Sequence, residues 1–171
     1  YLLMLGILID PILRKIFPDD DPVAIFNGII IYYLGFDLLI RYMMQALPTF
    51  AIESYLHLPI RKRTMVHFVI SKSIFHPLNF LPLLVFVPFA LQTVAPAYST
   101  LSTIAWLITI VLLIFNNNFL ATYLKRQLVS KPLITLLAGV ILISLAVLDH
   151  FGFIKLTSIS TYFFIILLKN P

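Results

Sequence analysis

The chain has 171 residues, of which 61% are hydrophobic and 11% are charged, and its formal net charge is +5. A soluble domain of this length cannot bury so much apolar side-chain surface. Cysteine is absent, which excludes a disulfide framework, a thiol nucleophile and a thiolate metal site. The basic residues lie in short segments between apolar runs, a distribution typical of membrane proteins and not of proteins that bind nucleic acid.

Six apolar segments follow one another, at residues 1–9, 23–47, 73–90, 100–115, 132–148 and 156–168. A membrane-spanning helix needs about 20 mostly apolar residues. We therefore predict an all-α fold: a polytopic transmembrane helix bundle of about six spans, which makes residues 1–171 a single transmembrane domain. Because Tyr1 already lies in an apolar segment, we expect the chain to be a piece of a longer membrane protein.

The first three segments carry the clearest local signals. Asp10 and Pro11 are expected to interrupt the first segment, with a short interfacial helix at residues 12–17. Asp21 and Pro22 are typical of a helix start, with aspartate as the N-cap and proline at the first helical position. The third segment contains three prolines and is predicted to bend, either because it lines a substrate route or through the ordinary enrichment of proline in membrane helices.

The later segments are simpler. The loop at residues 91–99 has no charge and is expected on the outer side. The fourth helix is predicted to continue through the three asparagines at residues 116–118 to residue 124. These asparagines can cap the mouth of the bundle, but an interfacial polar collar is the favoured interpretation.

Charged and polar groups within apolar segments are the candidate intramembrane site. Asp37 and Arg41 are four residues apart and share one helix face, so they can pair. With Asn79 they form a predicted polar set that lines a path or ties the second span to its neighbours. The alternative, slightly favoured for Arg41, is that its side chain extends to the inner interface and only neutralises Asp37.

No catalytic or metal-binding pattern accompanies these groups. The four histidines lie at residues 57, 67, 76 and 150, without the three- or four-residue spacing of helical metal ligands. No phosphate-binding glycine loop or serine-nucleophile motif occurs in the sequence. We therefore predict no catalytic residue, no metal and no cofactor.

Residues 56–72 are the most informative segment, because they combine a proline, a basic cluster and apolar positions between two spans. This pattern favours a short helix in the cytoplasmic interface, with its apolar face in lipid and its basic face in water. It can serve as a contact for a soluble partner or only as an anchor for lipid headgroups. The predicted partner-coupling residues are Pro59, Arg61, Lys62, Arg63 and Lys72.

The basic residues also predict orientation by the positive-inside rule. With residues 56–72 inside, both ends of the chain are cytoplasmic and only Arg14, Lys15 and Lys155 fall outside. The other nine basic residues are then internal: Arg41, Arg61, Lys62, Arg63, Lys72, Lys125, Arg126, Lys131 and Lys169.

The order of an apolar span, Leu58-Pro59-Ile60, the cluster at residues 61–63, Lys72 and a further span resembles the membrane subunits of type-2 ABC exporters. The asparagines near Phe119, followed by Lys125-Arg126, are similar to a bacterial branch of these permeases. The resemblance implies that the segment is a coupling helix for a separate ATP-binding cassette subunit, which hydrolyses the ATP. It also implies a bacterial inner-membrane protein in a dimer or larger assembly.

Two other functions stay open at this stage. The chain could be a structural or assembly subunit of a larger membrane complex, with no transport path of its own. An intramembrane enzyme is the weakest hypothesis, because such chemistry needs paired acids, or histidine with an acid, at membrane depth.

Overall fold

The computed structural model describes residues 1–44, 62–127 and 132–169. Within these ranges the chain is all-helical and contains no strand. We number the helices α1 Leu2–Ile16, α2 Pro22–Met44, α3 Lys62–Ile74, α4 Pro77–Ala97, α5 Thr100–Gln127, α6 Pro132–His150 and α7 Leu156–Lys169.

Three of these helices, α2, α4 and α5, are long and apolar enough to cross a membrane. They correspond to the predicted second, third and fourth spans and indicate a membrane protein. Helices α1, α6 and α7 are also apolar, but in the described residues they are shorter than α2 and α5. The described part of the chain therefore establishes a helical membrane class with three spanning candidates.

Helix α2 lies at the centre, in contact with α5, α6 and α7, while α1 packs mainly against α4. Aromatic rings fill the interior between these helices: Phe26 stacks on Phe89 at a centroid distance of 3.9 Å, and Trp106 meets Phe164 edge to face. In lipid, helices associate through close packing and hydrogen bonds, because hydrocarbon is no worse a solvent for apolar side chains than the protein interior. Buried Trp106 adds such a bond by donating from Nε1 to Asn27 Oδ1 at 3.0 Å.

The starts of the second and fourth spans are confirmed. Helix α2 begins at Pro22, and Asp21 accepts a hydrogen bond from the backbone N–H of Val23 at 3.0 Å, as an N-cap does. Helix α5 begins at Thr100, as predicted. It runs without interruption through the asparagines to Gln127, close to the predicted end.

The expected interruption at Asp10 and Pro11 is wrong, because α1 is continuous from Leu2 to Ile16. Membrane helices accommodate proline when neighbouring groups stabilise the turn around it. Here Asp10 accepts hydrogen bonds from Arg14 Nε at 3.0 and 3.1 Å, across the turn that contains Pro11. The residues expected to form a separate interfacial helix are the last turns of α1.

The predicted bend in the third span is present, but the predicted bounds are shifted. Ser73 belongs to the end of α3, and α4 starts at Pro77. The segment assigned to an outer loop is mostly helical, since a π-helical turn at Ala90–Val94 follows Pro88 and the helix continues to Ala97. Prolines and π turns are both common causes of bends in helices.

Two glycines make a matched test of packing. A Cβ atom on Gly6 would lie 2.6 Å from the Val85 carbonyl oxygen, whereas one on Gly139 would have its nearest neighbour, Leu39 Cδ1, at 3.9 Å. We expect Gly6→Ala to destabilise the bundle by about 1–3 kcal/mol through overpacking. Gly139→Ala should be neutral or stabilising by up to about 1 kcal/mol, because alanine is the better helix former. Unfolding of both variants in detergent checks this, and equal stabilities would contradict the packing of α1 on α4.

Candidate functional site

A buried ion pair lies near the end of α2 that leads towards the basic helix. Arg41 Nε donates to Asp37 Oδ2 at 2.7 Å. The Arg41 side chain is 0% exposed and Asp37 is 8% exposed. Charges this deeply enclosed must be paired and hydrogen-bonded, because an isolated buried charge is very costly.

Arg41 also satisfies the break in α4. Pro82 has no N–H, so the Leu78 carbonyl loses the partner it would have in a regular helix. Arg41 Nη2 donates to that carbonyl at 2.8 Å, and Arg41 Nη1 donates to Asn79 Oδ1 at 2.6 Å. One guanidinium group therefore joins α2 to the start of α4.

The end of α3 is held in the same way. Pro77 offers no N–H to the carbonyl of Ser73, which accepts instead from Asn79 Nδ2 at 2.9 Å and Asn118 Nδ2 at 3.2 Å. Asn79 Nδ2 also donates to the Ile74 carbonyl at 2.7 Å. Asn118, fully buried on α5, donates further to Ser73 Oγ at 2.7 Å. The last turn of α3 is thus bonded to both α4 and α5.

Asn117 closes the network. Its Nδ2 donates to the Leu34 carbonyl at 2.7 Å and to Asp37 Oδ2 at 3.1 Å, which joins α5 to α2. We call the resulting set the polar junction: Asp37, Arg41, Ser73, Asn79, Asn117 and Asn118.

His76 lies between α3 and α4, beside the polar junction. Its Nδ1 accepts from the backbone N–H of Leu78 at 3.3 Å and caps the start of α4. Burial, and to a smaller extent the charge of Arg41, lower the pKa of His76. A lowered pKa keeps the ring neutral, which a hydrogen-bond acceptor at Nδ1 requires.

The structure brings the three predicted intramembrane residues, Asp37, Arg41 and Asn79, into direct contact. Arg41 is enclosed by protein, which differs from the expectation that its side chain would extend to the interface. The favoured interpretation of the asparagines as an exposed collar fits Asn116 alone, since Asn117 and Asn118 bond inwards. Their roles, and that of Ser73, were missed because their partners lie tens of residues away in the sequence.

The predicted partner-coupling residues have different outcomes. Helix α3 lies between α2 and α4, where a short helix was expected, and Lys62 is its first residue. Arg63 and Lys72 on α3 are exposed. Pro59 and Arg61 lie outside the described residues, so their predicted coupling role stays a prediction.

A second polar cluster lies beside the middle of α2, at Tyr32, and sequence reasoning missed it. Asp149 accepts from the Tyr32 hydroxyl at 2.5 Å, from the Leu156 N–H at 2.7 Å, and from both the N–H and the hydroxyl of Thr157. It therefore caps the start of α7 and ties the α6–α7 turn to α2. Because every one of these contacts stabilises the turn, we assign this cluster a structural role.

Within the described ranges, no group of three or more histidine or acidic side chains could hold a metal ion. The polar junction consists of charge-assisted and amide hydrogen bonds. Such bonds can fix the relative positions of helices, or make a movement of one helix displace another.

No curated protein and no solved structure matches the chain. One family model does match, and it covers residues 1–171. The chain therefore belongs to DUF5687, which is described as a family of unknown function.

Proposed function

We propose that the chain is the membrane-spanning permease subunit of an ATP-driven ABC-type exporter, coupled through residues 58–72 to a separate ATP-binding subunit. The observation that carries this proposal is the attachment of the basic helix α3 to three bundle helices through the polar junction. A helix that receives a push from a partner must be exposed along its length and firmly joined to the helices that it moves.

Both properties are supported by the described residues of α3. Arg63, His67 and Lys72 are exposed and available to a soluble, acidic surface. At the other end of the helix, Ser73 is 5% exposed and is bonded to α4 and α5. Force applied to α3 therefore reaches α5 through Asn118, and reaches α2 through Asn79 and Arg41.

The proposal adds α1, α6 and α7 to the three long helices. Helices α6 and α7 follow one another along α2 in a single direction, from Gly139 beside Leu39 to Thr161 bonded to Ala24, so they do not supply two of the six predicted spans as separate crossings.

The clustering of basic residues around α3 favours a cytoplasmic location for that end of the bundle, in a bacterial inner membrane. The prediction that both chain ends share this side does not fit α7, which runs towards the Pro22 end of α2, from Thr157 beside Gly28 to Thr161 bonded to Ala24. The two copies of an exporter would form the pathway, and the partner would hydrolyse ATP.

Charge reversal tests the proposed contact. We expect Arg61→Glu, Lys62→Glu and Arg63→Glu together to reduce co-purification of an ATP-binding cassette protein from native membranes at least about tenfold, equivalent to about 1.4 kcal/mol. The matched control is Lys15→Glu with Lys155→Glu, which alters exposed cations outside α3 and should leave co-purification unchanged. Undiminished co-purification in the triple variant would count against the proposal.

A structural or assembly subunit is the second candidate, because the charges of Asp37 and Arg41 are satisfied by internal partners, as in a purely structural tie. In that case, changes at Asp37, Asn79 or Pro82 alter the assembly of a complex without changing what is transported. A substrate-specific effect of any of these changes excludes this candidate.

A further inference from the structure

Helices α6 and α7 lie one after the other along α2, and residues 151–155 between them are not helical. Beside the second half of α2, a Cβ atom on Gly139 would have Leu39 Cδ1 as its nearest neighbour. Beside the first half, Thr161 Oγ1 donates to the Ala24 carbonyl at 3.0 Å. The two helices therefore follow a single path along α2 that is interrupted at residues 151–155.

This interruption lies at the depth of the membrane interior. Asp149, next to the end of α6, accepts a hydrogen bond from Tyr32, which is at the centre of α2. The following residue, Tyr33, contacts Phe86 near the middle of α4 at a centroid distance of 5.2 Å. Because α2 and α4 are both spanning candidates, the turn between α6 and α7 is level with the middle of two spans.

Lys155 therefore lies inside the membrane, and not at the outer surface where the positive-inside rule placed it. Helix α7 continues for 14 residues beyond Lys155, about 21 Å, towards the Pro22 end of α2. A lysine near the end of a span extends its ammonium group to the interface, but Lys155 is separated from that end by the whole of α7. Ionisable groups at such depth face protein or a water-filled cavity, and they commonly mark the path of a substrate.

An open cleft of about 580 Å³ lies at this interruption, between α2, α6 and α7. Its lining is partly polar, since Lys155, His150 and Ser158 are exposed there. Ala146 and Ile154 supply apolar surface beside them. The cleft therefore presents a cation, hydrogen-bond donors and apolar contacts together at membrane depth.

The positive charge of Lys155 is the one that lacks a partner in the cleft. The carboxylate of Asp149 also lines the cleft, but it accepts hydrogen bonds from Tyr32 and from the N–H groups of Leu156 and Thr157. It thereby also offsets the positive end of the α7 dipole. Among the described residues, Lys155 has no ion-pair partner. A charge held away from bulk water needs a counter-charge, so the cleft favours an anionic ligand.

We propose that this cleft binds an amphiphilic organic anion, whose carboxylate or phosphate group pairs with Lys155. Lys155 and Ser158 are three residues apart on the first turn of α7, so both can reach the same group. Ala146 and Ile154 contact the apolar part of the ligand. Interrupted membrane helices commonly form substrate sites at this depth. The inference rests on the proposed function only in identifying the bound anion with the transported substrate.

The absence of cysteine allows the cleft to be probed with a single thiol. Ser158→Cys places the thiol in the cleft, and Val147→Cys places it at an exposed position two residues before Asp149, on the other side of α6. The full chain is reconstituted in vesicles of phosphatidylethanolamine and phosphatidylglycerol. It is then treated with water-soluble methanethiosulfonates that carry either a sulfonate or a trimethylammonium group.

We expect Ser158→Cys to be modified and Val147→Cys to stay unmodified, because water reaches the cleft and lipid covers the other side of α6. Absence of modification in Ser158→Cys would overturn the proposal. Equal rates at the two positions would overturn it as well, since the cleft would then be no more accessible to water than the rest of the surface.

Lys155 should make this reaction selective for anions. In the Ser158→Cys background, we expect Lys155→Gln to lower the ratio of the sulfonate rate to the trimethylammonium rate about fivefold or more, as loss of a unit charge near the thiol predicts. Lys155→Arg keeps the charge and is the matched control, with a ratio close to that of Ser158→Cys alone. An unchanged ratio in Lys155→Gln would overturn the role of Lys155.

Protection of the thiol tests the class of ligand. Octanoate and octyl phosphate should slow the modification of Ser158→Cys, whereas octyltrimethylammonium should not. Lys155→Gln should abolish the protection. Failure of both anions to protect, or equal protection by the cation, would overturn the proposal. Inorganic phosphate has no apolar part and should protect less than octyl phosphate, and equal protection by the two would overturn the amphiphilic character of the ligand.

None of these measurements uses ATP or the ATP-binding subunit. Protection by anions, together with unchanged co-purification after charge reversal at residues 61–63, would therefore retain the anion site and reject the exporter.

Discussion

Arg41→Met should destabilise the folded bundle by about 3–5 kcal/mol, the usual cost of breaking a buried ion pair by removing one partner. Methionine keeps much of the length of the side chain but donates no hydrogen bond. Asp37 would lose its counter-ion, and the Leu78 carbonyl would lose the donor that compensates for Pro82. Unfolding of the purified protein in detergent, by heat or by SDS titration, measures the effect.

The chain supplies its own control for this change. Asp10 and Arg14 form a second aspartate–arginine pair with the same four-residue spacing, but the Arg14 side chain is 62% exposed. Exposed pairs contribute little to stability, so Arg14→Met should unfold close to the wild-type transition. If both variants lose the same stability, the claim that the buried pair contributes more to folding than the exposed pair is wrong. Adding Asp37→Leu to Arg41→Met removes the unpaired carboxylate and should restore part of the loss.

Asn118→Leu should leave the binding of the ATP-binding subunit intact but abolish the permease's control of ATP hydrolysis. Leucine has a similar size but cannot donate to Ser73, so the last turn of α3 loses its bonds to α5. We expect the ATP-binding subunit to co-purify as with the wild type, because the exposed cations are unchanged. The dependence of its ATP hydrolysis on the permease, measured in proteoliposomes, should be lost.

The matched control for Asn118→Leu lies two residues earlier. Asn116 is exposed on the same helix, so Asn116→Leu should retain full control of ATP hydrolysis. A stability loss of about 1–3 kcal/mol is expected for Asn118→Leu, as for other buried hydrogen bonds left unmade. Normal control of ATP hydrolysis in Asn118→Leu would show that the polar junction does not carry the signal.

Local rules predicted the features that depend on neighbouring residues. The start of α2 follows from Asp21 and Pro22, and the pairing of Asp37 with Arg41 follows from their four-residue spacing on one helix. The same rules were too strict for Pro11, since a proline ends a helix in water more reliably than in a bundle where neighbouring groups stabilise the turn.

The whole polar junction could not be assembled from local rules, because the bonds that join α2 to α4 and α5, and α3 to α5, link residues 37 to 83 positions apart. One sequence signal was available and unused. Pro77 and Pro82 each release a backbone carbonyl four residues earlier, at Ser73 and Leu78. Carbonyls released at membrane depth need hydrogen-bond donors from other helices. Arg41 donates to the carbonyl of Leu78, and Asn118 on α5 donates to the carbonyl of Ser73.

The cluster around Asp149 shows the same limit. Its carboxylate follows an apolar segment and resembles an ordinary loop residue in the sequence. Its function as the cap of α7 depends on the turn after His150, in which Gly152 has a φ of 77°. That left-handed backbone conformation is one that glycine adopts readily.

The most direct test of the coupling proposal is a photo-crosslinking amino acid at position 64 of the full-length protein in living cells. Thr64 is exposed on α3, next to the basic cluster, and Ser158 is an exposed control position at the start of α7. Our account predicts a covalent adduct between position 64 and an ATP-binding cassette protein, and no such adduct from position 158. Adducts from position 64 with lipid alone, or with a protein on the outer side of the membrane, would contradict it.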